Sequence, residues 1–171
     1  MHTEKMKAGA AFPPLSWSTV AHGAITPASG DGWRLLIVYR GKHCPLCRAY
    51  LNELNGMVGA FANANITLMT LSADSQEKAQ TEVQECDWTF PVGYGLTMPQ
   101  MRTLGLYISE PRSPQEADHP FAEPGIFVIN PHGQTQIIDI SNAPFARPAL
   151  PELLKGLQFV ISENTPIRGC A

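Results

Sequence analysis

Leu35-Leu36-Ile37-Val38-Tyr39 is an unbroken apolar run, closed by Arg40 and Gly41. Two of its members are β-branched and one is aromatic, so it reads as a strand buried on both faces. Beyond the break the period lengthens: Leu46, Tyr50, Leu51, Leu54, Met57, Val58 and Phe61 recur at steps of three and four. That spacing predicts a single amphipathic helix of about five turns. Pro45 marks its start, because proline in a first turn gives up an N–H that has no partner inside the helix. Cys44-Pro45-Leu46-Cys47 therefore lies where the loop after a buried strand turns into a helix.

The same reasoning orders the rest of the chain. Residues 1–32 are rich in Gly, Pro, Ala and Ser and predict an N-terminal arm with a hairpin-like lead-in, its turn signals at Pro27 to Gly32. Trp17 and Trp33 read as covers for core edges. Ile66 to Leu71 alternates and predicts a second strand, parallel to the first because a crossover helix joins them. Asp74 followed by Glu77 suggests a capping box, with Ala79, Val83 and Cys86 on one buried helical stripe. Phe90 to Tyr94 predicts a short strand whose proline places it at an edge, and Thr97 to Leu104 a brief helix stopped by Gly105. Residues 109–123 carry three prolines and mixed charge, as a surface loop does. Ile126–Ile129 and Gln136–Ile140 flank Asn130-Pro131-His132-Gly133 and predict a hairpin. Leu150, Leu153, Leu154, Leu157, Val160 and Ile161 give a closing amphipathic helix.

Composition narrows the classes. At 171 residues, 44% hydrophobic and 16% charged, residues 33–171 suit one globular domain with a real core. A net charge of −3 without Lys/Arg runs excludes a nucleic-acid footprint. No stretch approaches the ~20 apolar residues of a membrane span, and Met1 to Lys7 lacks the apolar core of a signal peptide. A cytoplasmic, reducing setting is the expectation, and four cysteines do not make a secreted disulfide scaffold.

The chemistry concentrates at the Cys-x-x-Cys. A helix N-terminus offers partial positive charge and free N–H groups, and both favour a thiolate at Cys44. Cys47, one turn on, lies within disulfide reach on the same side. His43, as an imidazolium, would favour the thiolate further, and Arg40 and Arg48 would add positive potential. Arg102 is a further arginine that could approach. Two mundane readings stand beside this: a pair of core cysteines, and half of a zinc site. Zinc needs a second pair, and Cys86 and Cys170 are singletons. Cys86 reads as structural. Cys170 reads as an exposed tail thiol, either an accessory resolving thiol or a link in a homodimer. His119 and His132 read as surface residues.

The order β-α-β-α-β-α, a loop, then β-β-α, with Cys-x-x-Cys opening the first helix, resembles the thioredoxin fold with a peroxiredoxin-type strand–helix insertion. The class is α/β, a central mixed β-sheet flanked by helices. Tyr39 to Arg48, Met101 to Tyr107, Glu123 to Ile129 and Pro166 to Gly169 resemble the redoxin branch known as the alkyl hydroperoxide reductase/thiol-specific antioxidant, or peroxiredoxin-like, family. The resemblance implies that Cys44 is the nucleophilic cysteine, Cys47 the resolving one, and Pro124 a cis-proline lying against the pair. It also shows two departures. Peroxiredoxins carry Thr or Ser three residues before the cysteine, where this chain has Gly41. They carry Arg before the hairpin strand, where Pro124 stands.

Those departures weigh toward thiol–disulfide oxidoreductase chemistry cycling Cys44 and Cys47, with His43, Pro45, Pro124 and Arg40 in support and no metal or organic cofactor. The resemblance implies a disulfide or hydroperoxide substrate and a reductant of thioredoxin or glutathione type. The alternatives are a thiol peroxidase acting through a Cys44 sulfenic acid, and a redox-silent adapter binding through the 109–123 loop.

Overall fold

A computed structural model describes residues 4–171, so the first three residues of the predicted arm lie outside it. In chain order the elements are β1 (Trp17–Ser18), β2 (Ala24–Ile25), β3 (Trp33–Val38), α1 (Pro45–Gly56), α2 (Val58–Asn63), β4 (Ile66–Leu71) and α3 (Gln76–Cys86). There follow β5 (Val92–Gly93), α4 (Met98–Thr103), β6 (Ile108–Ser109), β7 (Phe121–Ala122), β8 (Gly125–Ile129), β9 (Thr135–Ile140) and α5 (Leu150–Ser162).

The sheet runs β5-β4-β3-β8-β9. β3 pairs parallel with β4 and antiparallel with β8, β4 pairs parallel with β5, and β8 and β9 form the antiparallel hairpin. The sheet is mixed, and the strand carrying the central apolar run is its middle strand. Alternate side chains of β3 feed two cores. Leu35 and Ile37 meet Leu51 and Leu54 of α1, Ala79 of α3 and Leu150, Leu154 and Leu157 of α5. Leu36 and Val38 face Phe12, Trp17 and Ile25 of the N-terminal arm, Met101 of α4 and Leu104 just after that helix. Every residue from Leu35 to Tyr39 is fully buried, and each such side chain contributes about 1.5–3 kcal/mol. That burial fixes the end of β3, and with it the loop that leads to Cys44.

Three local expectations change. The five-turn helix is two helices broken at Met57, whose N–H turns back to the carbonyl of Leu54 at 2.9 Å just after Gly56. The cap of α3 is Ser75, which accepts the Lys78 N–H at 3.3 Å, because Asp74 is buried and engaged elsewhere. The buried positions of α3 are Ala79 and Glu82, while Cys86 is only half-buried. The 109–123 loop is tied at both ends by the β6–β7 pair.

Candidate active site

Gly41, Lys42 and His43 carry the chain from β3 to α1, and their path is held by one buried carboxylate. Asp74 Oδ2 accepts the Lys42 backbone N–H at 2.7 Å, while the Asp74 N–H donates to Ser72 Oγ at 3.2 Å. Gly41 has φ +132°, a region effectively confined to glycine, and a Cβ there would lie 2.6 Å from Asp74 Oδ1. Only glycine lets this loop close against the carboxylate.

The loop delivers Cys44 as the N-cap of α1, in extended conformation, with Pro45 in the first turn. The Cys47 N–H donates to Cys44 Sγ at 3.2 Å, so the sulfur occupies the place that a serine or aspartate oxygen takes in an ordinary cap. The Cys44 thiol is pulled down from an ordinary 9.0 to about 6. The largest cause is hydrogen bonding from the Cys47 thiol. Burial opposes it, and the Cys47 N–H and the charge of Arg40 assist. Cys47 moves the opposite way, raised because its proton is held on the Cys44 sulfur and because it is buried. The two cysteines are therefore inequivalent before any reaction: one is an anion at neutral pH and the other its proton donor. Both are buried, Cys44 at 2% and Cys47 at 0% exposure.

Arg40 is the cation at this anion. Its Nε lies 3.3 Å from Glu123 Oε2 and its Nη2 3.8 Å from Glu116 Oε1, and its guanidinium sits 4.7 Å over the Phe121 ring. Glu123 in turn accepts from Ser109 Oγ at 2.7 Å, so the β6–β7 pair holds the arginine in place.

His43 does not supply the charge expected of it. Burial first, and Arg40 second, push it below its usual value, so the ring is neutral at pH 7 and packs 4.5 Å from Phe121. Arg48 is spent on Glu82 at 3.2 Å and Glu85 at 2.8 Å. Arg102 is exposed in the last turn of α4. Pro124 is buried before β8, but every peptide bond among the described residues is trans, in keeping with the ordinary preference of X-Pro bonds. The trans chain passes straight from β7 into β8, and the Pro124 carbonyl accepts the Ser141 N–H at 3.1 Å. Cys170 is exposed beside Gly9, whose N–H bonds Thr135 beyond the opposite end of the sheet from Cys44. His119 is half-buried rather than on the open surface. Among the described residues no three His, Cys, Asp or Glu side chains converge as a metal site would require.

Sequence reasoning missed Asp74, Glu82, Glu116, Glu123 and Arg147. Glu82 is fully buried beneath the site and raised to about 7, chiefly by burial. Arg147 precedes α5, lies 4.3 Å over the Tyr50 ring, and its charge is felt at Cys47. Four of these lie in loops, where charge carries no periodic signal, and Glu82 is a charged residue on a helical face that reads as apolar through Ala79, Val83 and Cys86, so only the fold brings them together.

The sequence matches the AhpC/TSA family over residues 8–138. The chain belongs to the AhpC/TSA family. It is a thiol-dependent oxidoreductase with a thioredoxin-like fold of the peroxiredoxin type. No curated protein matches the chain as a relative. Among solved structures, the peroxiredoxin 6 of Arenicola marina superposes with a TM-score of 0.81 at 17% identity, over 94% of this chain and 76% of that one. A peroxiredoxin-like protein from Aquifex aeolicus gives 0.75 at 14% identity, over 92% and 89%. A yeast mitochondrial 1-Cys peroxiredoxin, whose thiol is resolved via glutathione/thioredoxin systems, gives 0.75 at 18% identity, over 95% and 82%. In this AhpC/TSA chain, among the described residues, no helix is long and apolar enough to cross a membrane.

Proposed function

We propose that this AhpC/TSA chain exchanges thiols and disulfides through Cys44 and Cys47, with Cys44 as the attacking thiolate and Cys47 as the resolving thiol. The observation that carries the reading is the cap itself: the Cys47 N–H donates to the Cys44 sulfur at 3.2 Å, so the resolving cysteine sits one helical turn from the sulfur it would attack. In the first step the Cys44 thiolate attacks one sulfur of a substrate disulfide. A mixed disulfide forms, and the other substrate sulfur leaves as a thiolate that takes up a proton. In the second step Cys47 transfers its proton to the departing sulfur and attacks Cys44 Sγ, which releases the second substrate thiol. The substrate gains two electrons and the protein holds the oxidised pair. A thiol reductant of thioredoxin or glutathione type, in a reducing cytoplasmic setting, returns it to the dithiol. Arg40 steadies the anion, Pro45 starts the helix that presents it, and His43 and Pro124 shape its walls.

The test is trapping. With Cys47→Ser, a substrate disulfide leaves a mixed disulfide on Cys44 visible by mass spectrometry, whereas the wild-type chain shows an internal Cys44–Cys47 bond. A chain that forms neither sinks the reading and favours the adapter.

A second reading is favoured by Arg40, a cation beside a buried thiolate. There Cys44 attacks a hydroperoxide oxygen, the O–O bond breaks to give an alcohol and a sulfenic acid, and Cys47 condenses with that acid, releasing water. Gly41 weighs against it, since no side-chain hydroxyl stands where peroxiredoxins carry one. Stopped-flow oxidation that needs millimolar peroxide would exclude this reading.

A further inference from the structure

Cys44 is 2% exposed, and either reaction at its sulfur needs a partner to reach it, so part of the wall around it has to move. Three of the surrounding pieces are fixed by the core. β3 runs buried into Tyr39, α1 is anchored by Cys47, Leu51 and Leu54, and β8 is buried throughout. The piece between β6 and β7 is different. Of residues 110–120 only Ala117 is buried. The β6–β7 pair holds both ends of this segment, with Pro111 and Pro120 just inside them.

The body of the segment is tied mainly to itself. The Glu116 N–H donates to the Ser113 carbonyl at 3.1 Å, and the Glu116 carboxylate accepts the Arg112 N–H at 2.6 Å and its Nε–H at 2.9 Å. Among the described residues no backbone hydrogen bond joins 110–120 to the rest of the chain. Two ionic contacts do so. Lys78 Nζ on α3 donates to Asp118 Oδ1 at 2.6 Å, while Arg40 Nη2 stands 3.8 Å from Glu116 Oε1, outside hydrogen-bond range. Beneath, a cavity of about 370 Å³ lies between residues 114–118 and Lys42, His43, Asp74 and Lys78. The segment thus covers the loop that delivers Cys44 without packing down on it. Arg40 links the two, since it faces Glu116 and its charge is felt at the Cys44 sulfur. A surface segment with one buried side chain and its own closed turn opens at little cost while the core around it stays shut.

We propose that residues 110–120 form a flap that gates access to Cys44, hinged at the β6–β7 pair and clasped shut by Lys78 and Asp118. The gate acts before any bond is made at the sulfur, so it stands apart from the choice between disulfide exchange and peroxide reduction. Reaction at Cys44 proceeds through the open form, and whatever weakens the clasp raises the open fraction and the rate together.

The experiment alkylates the reduced full-length chain with iodoacetamide at pH 8, where Cys44, its thiol at about 6, is almost wholly ionised. The second-order rate is read at the Cys44 peptide by mass spectrometry, and an uncharged reagent is not steered by the substituted charges. Lys78→Gln and Asp118→Asn are each expected to raise the rate about two- to fivefold, the worth of one partly exposed ion pair. The double variant should gain no more than either alone, because both substitutions remove the same contact. Lys155→Gln, which breaks a pair with Glu152 on α5, should leave the rate at the wild-type value. The two clasp substitutions alter local charge in opposite directions, so an effect on the thiolate itself would move their rates apart. Rates that move apart therefore overturn the proposal, as do rates unchanged in both variants. An equal rise in Lys155→Gln, or a matching rise at the half-buried Cys86 in the same digest, also overturns it, since general loosening would explain the effect.

Discussion

The inequivalence of the two cysteines fixes how Cys44 should respond to pH. With its thiol at about 6 against an ordinary 9.0, Cys44 is about nine-tenths ionised at pH 7, where an ordinary thiol is about one-hundredth ionised, a gain of about 90-fold. Basicity and nucleophilicity fall together, with a Brønsted slope of about 0.4–0.5, so three units remove about 16- to 32-fold. The net advantage at pH 7 is only about three- to sixfold. At pH 6 it grows to about 16- to 30-fold, and at pH 8.5 it inverts, Cys44 becoming about four- to eightfold slower than a free peptide thiol. Burial of Cys44 scales all of these rates equally, so the change in ratio, about 120-fold between pH 6 and pH 8.5, survives any restriction on access. The assay is alkylation by iodoacetamide, read at the Cys44 peptide by mass spectrometry against a reference thiol in the same tube. Cys47→Ala removes the largest cause of the shift and should carry the inflection upward; Cys47→Ser keeps a donor and should carry it less far. An inflection near 9 in the wild-type chain, or one that Cys47→Ala leaves in place, refutes the account.

Three further outcomes follow from the groups around the pair. Glu82 is raised from 4.5 to about 7, so the folded chain holds a proton there that the unfolded chain releases. The stability tied to it is present below pH 4.5 and lost as pH rises to about 7, on the order of 3 kcal/mol at about 1.4 kcal/mol per unit. Glu82→Gln cannot ionise and should gain on the wild-type chain in urea melts between pH 5 and pH 8; a constant difference across that range speaks against a buried proton. Arg40→Gln leaves Glu123, at 4% exposure, without its cation and should lose about 3 kcal/mol while raising the Cys44 inflection. An unchanged inflection would remove Arg40 from the site. Gly41→Ala should lose about 2 kcal/mol, or about 4–8 °C in melting temperature, and an unaltered melt would show that the Asp74 contact yields freely.

What the sequence disclosed follows from which interactions are periodic. The apolar run of β3, the helical face of α1, the hairpin and α5 all express burial at a fixed period, and all but the far end of α1 are found within a few residues of their expected bounds. The break at Met57 escaped notice because the apolar spacing continues through it, and a backbone turn at Gly56 leaves no trace in a pattern of side chains. Asp74 shows the opposite difficulty. Its spacing to Glu77 fits a capping box, and the competing use, bonding a backbone N–H 32 residues earlier, is a property of the folded chain alone. Arg40 acts at Cys44 through its charge, whereas His43 loses the charge its place before the pair suggests, because burial and that same arginine disfavour the imidazolium.

The departure at Gly41 acquires a physical meaning from the same carboxylate. The position where peroxiredoxins carry a hydroxyl residue is here one where an added Cβ would lie 2.6 Å from Asp74 Oδ1. A side chain of any size would collide with the group that holds the Lys42 N–H and so sets the path into the cap. At this position the chain therefore carries no side-chain hydroxyl and gives the space to the Asp74 carboxylate. Its thiolate is stabilised from the helix side, by Cys47, and from Arg40, rather than from the loop. An anion supported mainly by its own resolving partner suits a reaction in which that partner must attack next, because the contact that lowers one thiol already places the other at the sulfur it will attack.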